Sequence, residues 1–201
     1  RSPRAMVEPA SLPALTVVVP AYNEQEVLEI FHARLAAALE PLGLSWEVVY
    51  VNDGSRDATL EKMLALKAAD PRTAVLNLSR NFGKEIALTA GLDHARGTEA
   101  VVVIDADLQD PPEVIADLVA AWREGFDVVY AQRSVRHGEG FVKRATAHGF
   151  YRLMQRVGGR VQLPKDTGDF RLMSRRAVDA INSLPEHNRV LRLVVPALGF
   201  P

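Results

Sequence analysis

The chain contains no cysteine, which excludes disulfide staples and thiolate-bound metal centres and fits a reducing compartment. It has no apolar run of the ~18 residues that a membrane-crossing helix needs. Its first residues, Arg1-Ser2-Pro3, resemble no signal peptide and lack an initiator Met, so the sequence reads as a piece of a longer protein. Its apolar close, RVLRLVVPALGFP, carries the expectation that the parent continues into transmembrane helices. An excess of one charge is also missing. The 24 Lys and Arg against 25 Asp and Glu leave a net charge of -1, so no overall field favours nucleic acid, and none is expected as a partner. No Gly-x-Gly-x-x-Gly is present, which argues against a dinucleotide-dependent oxidoreductase. There is no internal repeat or low-complexity stretch. What remains is 48% hydrophobic and 24% charged over 201 residues, a globular composition with material for one sizeable core or two small ones.

Residues 1–14 carry Pro3, Pro9 and Pro13 without periodicity and read as a flexible tail. After them, strand and helix patterns alternate. LTVVVP (15–20) is a β-branched run of the kind buried on both faces of a sheet. WEVVYVND (46–53), TAVLNLS (73–79), EAVVVIDAD (99–107) and FDVVYAQR (126–133) repeat the pattern. Between them, Val27, Ile30, Phe31, Leu35 and Leu39 form a helical stripe, with Asn23 and Glu26 as its expected capping box. Ser55–Ala69 and Gly83–Ala95 read as the next helices, and Pro111 or Pro112 opens one that runs to Glu124. Such alternation predicts βαβ units and a mainly parallel sheet flanked by helices. After Arg133 no further strand is evident, only a basic region and two or three helical stretches. The expected organisation is therefore one domain over 15–201, with a ligand-binding half (15–133) and a helical, basic half (134–201).

Ligands of open parallel sheets bind at the carboxyl ends of the strands, and the polar residues gather there. In VVVIDADLQDPPEV, Asp105 and Asp107 stand two apart at a strand end. Two hard carboxylates call for a counter-charge, and Mg²⁺ or Mn²⁺ with phosphate oxygens would supply it. Gln109 adds a neutral oxygen. The plainer reading is a helix entry capped by Asp107 or Asp110, and Asp110 is assigned to it. Tyr22 offers a ring to stack on a base, Glu24 an acceptor for its N–H groups, and Asp53 an acceptor for base or ribose. An ordinary turn and helix start are the bland alternatives. Arg133 would answer remaining phosphate charge. Together these residues ask for a nucleoside diphosphate compound.

VVVPAYNE, VNDGSRDAT, SRNFGKEIALTAGLDHA, VIDADLQDPPEVI and DTGDFRLMSRRAV together resemble the family 2 glycosyltransferases of the GT-A fold, in the family's motif order across nearly all of 15–200. The nearest branch looks like the polyprenyl-phosphate sugar transferases, similar to dolichol-phosphate mannose synthase and its bacterial undecaprenyl-phosphate relatives. The resemblance implies an inverting transferase that uses a UDP- or GDP-linked sugar, a divalent cation and a polyprenyl phosphate acceptor at the cytoplasmic membrane face. A homo-oligomer is compatible with it. It places Pro20, Ala21, Tyr22, Glu24, Asp53, Asp105 and Ala106 at the donor nucleotide, and Asp105, Asp107 and Gln109 at the metal. It assigns Asp169, Arg171 and Arg133 to catalysis. Asn52 stands where many members carry a second Asp.

Between 133 and 160, Arg133, Arg136, Lys143, Arg144, Arg152, Arg156 and Arg160 face a single acid, Glu139. Phe150, Leu153, Met154 and Val157 fall on one helical face. A basic amphipathic helix suits an anionic membrane surface, or simply packs on the catalytic domain with a solvated face. Transfer to a saccharide hydroxyl, a sugar-1-phosphate nucleotidyltransferase, an Asp-dependent phosphatase and an inactive nucleotide-sugar module are the alternatives. AYNEQE lacks the glycines that the nucleotidyltransferase would carry after its first strand.

Overall fold

The computed structural model describes residues 12–132, 167–185 and 190–200. Six strands form one sheet in the order β3-β2-β1-β4-β6-β5. β1 (Leu15–Ala21), β2 (Trp46–Asn52), β3 (Thr73–Asn77) and β4 (Ala100–Val103) run parallel. β6 (Thr167–Ser174) pairs antiparallel with β4 on one side and with β5 (Val128–Gln132) on the other.

Period-two alternation feeds two cores. Val17, Val19, Val48, Tyr50, Val102, Phe170 and Leu172 face one core. There they meet α1 (Leu28–Leu39) through Leu28, Phe31, Leu35 and Leu39, α2 (Thr59–Ala69) through Met63, and α4 (Ile115–Arg123) through Ile115, Leu118 and Val119. Val18, Val49, Val51, Val101, Val103 and Met173 face the other core. That side is covered by α3 (Lys84–His94), α5 (Arg175–Asn182) and α6 (Leu191–Ala197). Residues on both strand faces are buried, which is why the strands read as unbroken apolar runs rather than as alternation.

Two sequence expectations are corrected here. β6 is a strand where none was expected, and it lies inside the sheet. Its outward-reading residues, Asp169 and Arg171, are buried at 3% and 1% exposure, paired with each other rather than with water. The expected capping box of α1 does not form. The helix begins at Leu28 after Val27, with no side-chain cap, and Asn23 is engaged elsewhere, as described below. Ile30, placed in the apolar stripe by spacing, is 57% exposed, and Leu28 takes the buried position instead. The turn that opens at Pro111 has Pro112 in its first turn, as expected, and Asp110 just before it is buried. Among the described residues, no helix is long and apolar enough to cross a membrane. Arg133 and the basic stretch that follows lie outside the described residues.

Candidate active site

β1 lies between β2 and β4, whose crossovers lead to opposite sides, so a crevice opens beyond its carboxyl end. A cleft of about 360 Å³ occupies that place. Pro20, Ala21, Tyr22 and Glu24 line it from the end of β1, Asp53 from β2, and Asp105, Ala106 and Asp107 from β4. Asn81, Gly83, Lys84 and Ala87 complete it from the start of α3. All seven residues expected at the nucleotide are brought together here. Of the three expected at the metal, Asp105 and Asp107 reach the cleft, whereas Gln109 is exposed and outside its lining.

The loops after β1 and β2 are tied together side chain to backbone. Asn23 N–H donates to Ser55 Oγ (3.0 Å) and Glu24 N–H to Thr59 Oγ1 (2.8 Å). In return Arg56 N–H donates to Asn23 Oδ1 (2.9 Å) and Ala58 N–H to Gln25 Oε1 (2.9 Å). Asn23 sits at φ 57°, a left-handed conformation that Asn tolerates. Its job is therefore to join two loops and fix Glu24 over the cleft, not to start a helix. Asn52 works below this joint, donating to Asn77 Oδ1 (2.8 Å) and accepting from Ser55 N–H (3.1 Å).

Asp53 is committed to the backbone. Its two oxygens accept from Phe82 N–H (2.7 Å) and Gly83 N–H (3.0 Å), at the positive end of α3. It thereby holds the 80–83 loop against the cleft. Gly54 makes room for this loop at φ 65°, where a Cβ would come within 2.3 Å of Arg80 C and 2.4 Å of Asn81 N.

Asp105 and Asp169 meet because β6 runs antiparallel. Val103 lies opposite Arg171, and continuing that register sets Asp105 opposite Asp169. Like charges opposed across strands destabilise, and Lys84 resolves the conflict. Its Nζ lies 2.6 Å from Asp105 Oδ2 and 2.6 Å from Asp169 Oδ2. The other Asp169 oxygen pairs with Arg171 (3.3 Å), whose guanidinium also donates to the Leu191 carbonyl (3.3 Å). Arg171 thus stands behind Asp169, away from the cleft lining. Asp107 Oδ1 accepts from Gln109 N–H (3.0 Å) around Leu108, which is held at φ 61°. Left-handed backbone is costly for such a residue, and strain of this kind gathers at functional sites.

The cleft carries surplus negative charge. Burial and the neighbouring Asp107 and Asp105 push the Glu24 carboxyl above its ordinary pKa. Burial also raises Asp105, with Asp169 and Asp107 adding to it, and together these outweigh the lowering by Lys84. Burial works against the Lys84 ammonium, but its bonds to Asp105 and Asp169 win and raise its pKa. Crowded hard oxygens of this type fit Mg²⁺ or Mn²⁺, and Asp105 and Asp107 are the residues that would hold it. Spacing in the sequence gives no sign of Lys84. Only the strand pairing brings α3, β4 and β6 to one point.

A sequence profile of glycosyl transferase family 2 matches residues 16–181. The chain belongs to glycosyl transferase family 2. Its relatives within the family include an uncharacterized glycosyltransferase of Synechocystis sp., 49% identical over 186 residues, covering 92% of this chain and 58% of the relative. A bactoprenol glucosyl transferase of Shigella phage SfV is 44% identical over 185 residues, covering 92% of this chain and 60% of the relative. The chain therefore spans about three-fifths of the length of these relatives. Among solved structures, S. aureus TarS superposes with a TM-score of 0.62 at 18% identity, over 90% of this chain and 53% of that one. The mannosyltransferase PcManGT of Pyrobaculum calidifontis, solved with GDP-Man and Mn²⁺, gives 0.61 at 23% identity, over 88% and 48%. At these identities the likeness establishes the GT-A fold.

Proposed function

We propose that the chain is the catalytic part of an inverting glycosyltransferase that moves a sugar from a nucleoside diphosphate to a polyprenyl phosphate at the cytoplasmic face of the membrane. The observation that carries the donor side is the cluster of Glu24, Asp105 and Asp107 in the crevice beyond β1, next to an exposed aromatic ring, Tyr22. An acidic cluster in a nucleotide-sized cleft suits a cation and a diphosphate; a base can stack on Tyr22, and the diphosphate lies toward Asp105 and Asp107. Asp105 and Asp107 would hold a divalent cation, which would supply charge to offset that of the departing nucleoside diphosphate. Arg133 would add to it. The acceptor side draws support from the bactoprenol glucosyl transferases among the relatives. The second pKa of a lipid phosphate, near ~6 by analogy with phosphorylated side chains, leaves it largely ionised at neutral pH. It then needs orientation more than deprotonation, the part we give to Asp169, with Arg171 as its positioning residue.

Calorimetric titration with UDP and GDP, each with and without Mn²⁺, tests the donor reading. One nucleotide is expected to bind in a Mn²⁺-dependent way, and Asp107→Ala should weaken that binding by ~100-fold, the scale of losing one charge-bearing contact to a bound ion. No binding of either nucleotide to folded protein would reduce the carboxylates to a strand end and a turn. The acceptor is tested by supplying undecaprenyl phosphate and a free oligosaccharide side by side. Sugar recovered only on the oligosaccharide would overturn the lipid assignment.

A further inference from the structure

Lys84 occupies a place that is unfavourable for a cation by itself. It is the first residue of α3, where the positive end of the helix dipole repels an ammonium, and it is partly buried, with a side chain 38% exposed. What holds it is the pair Asp105 and Asp169, whose side chains are 24% and 2% exposed. Those two carboxylates face each other across β4 and β6, and without a cation between them the strand pairing would bury like charges. Asp105 also stands beside Asp107, with which it would take a divalent cation, in a cleft that Glu24 lines as well. Asp105 would therefore serve two cations, Lys84, which is tethered to the chain and lies on its Oδ2, and one from solution.

We propose that Lys84 is a built-in counter-cation that occupies Asp105 while no donor is bound and gives it up when the cation and diphosphate arrive, remaining on Asp169. The inference rests on the donor reading given above. It explains why a lysine stands at the helix end nearest the acids. The strands can then form before any metal is present, and a free metal ion, without nucleotide, meets a site already neutralised in part. Cation and nucleotide consequently bind better together than apart, since the diphosphate offers the displaced ammonium a second partner.

The test uses Mn²⁺ alone, titrated calorimetrically into nucleotide-free protein. Lys84→Met should bind Mn²⁺ roughly tenfold more tightly than the parent, the order expected on removing a competing charge in contact with the ligand oxygen. The metal-free variant should melt lower than the parent, and Mn²⁺ should recover more of its melting temperature than it adds to the parent's. Lys84→Arg, which keeps the charge, should stay near the parent. Lys62→Met, which removes a cation from the exposed pair with Glu29, should leave Mn²⁺ affinity unchanged and so excludes a mere net-charge effect. If Lys84→Met does not fold, Lys84→Gln carries the same expectation. Mn²⁺ affinity equal to or weaker than the parent's, or no Mn²⁺ binding to the neutral variant, overturns the proposal. The outcomes separate it from the donor reading. If the parent binds a nucleotide with Mn²⁺ and Lys84→Met gains nothing, the lysine's role falls alone. A gain in Mn²⁺ affinity in a protein that binds no nucleotide removes the donor reading and leaves standing only the lysine's competition with the cation for Asp105.

Discussion

Asp169→Asn is expected to lower sugar transfer by ~100-fold or more, the scale on which small misplacements in a catalytic site are felt, with the same factor at pH 7 and pH 9. The flat profile is the informative part. Asp169 has one oxygen on Lys84 and the other on Arg171, so it sits between two cations as their shared counter-charge. If its work is to hold them and the acceptor in register, raising the pH cannot replace it. A base, in contrast, is partly replaced by hydroxide and by spontaneous ionisation of the acceptor, so recovery of turnover at high pH would give Asp169 the base role. The same substitution should cost about 3 kcal/mol of stability, since it leaves Arg171, at 1% exposure, without its full counter-charge. Urea unfolding measures that cost independently of turnover.

The second large effect is expected at a residue with no side chain. Gly54→Ala puts a methyl group within 2.3 Å of the Arg80 carbonyl carbon and 2.4 Å of Asn81 N, at φ 65°. Both obstacles are backbone and cannot rotate away. Overpacking and the left-handed penalty together should cost about 2–4 kcal/mol. The displaced segment carries Asn81, Gly83 and Lys84 to the cleft, so nucleotide affinity should fall along with the unfolding midpoint. A Gly54→Ala protein as stable as the parent would mean that the 80–83 loop is free to move away from Asp53.

Five strands and the helices between them are legible in the sequence because fully buried parallel strands leave continuous apolar runs, and LTVVVP and AVVV admit few other readings. The crevice residues follow from the rule that ligands sit at strand ends, so Tyr22, Glu24, Asp53, Asp105 and Asp107 can be named before any coordinates. β6 cannot be seen in this way. TGDFRLMS puts Asp169 and Arg171 on one face, and charged residues at alternate positions look like a solvated edge. Their mutual pairing, with Lys84 on Asp169 and the Leu191 carbonyl on Arg171, makes them tolerable inside. Asn23 shows the opposite failure, because a good capping residue is drawn into a loop-to-loop bond that spacing cannot foresee. Lys84 follows from both, since its partners are 21 and 85 positions away, at Asp105 and Asp169.

The place of β6 between β4 and β5 also orders events during synthesis. β5 leaves the ribosome well before its neighbour, and among the described residues it pairs with β6 alone. Until residues 167–174 follow, β5 lacks its partner among the described residues and the edge of β4 that β6 covers stays open, the kind of template that invites association between nascent chains. A chain halted at residue 166 would lose more than Asp169. It would expose an unpaired apolar strand edge, so shortened products should be found in aggregates, and the completed site would coincide in time with the closing of that edge.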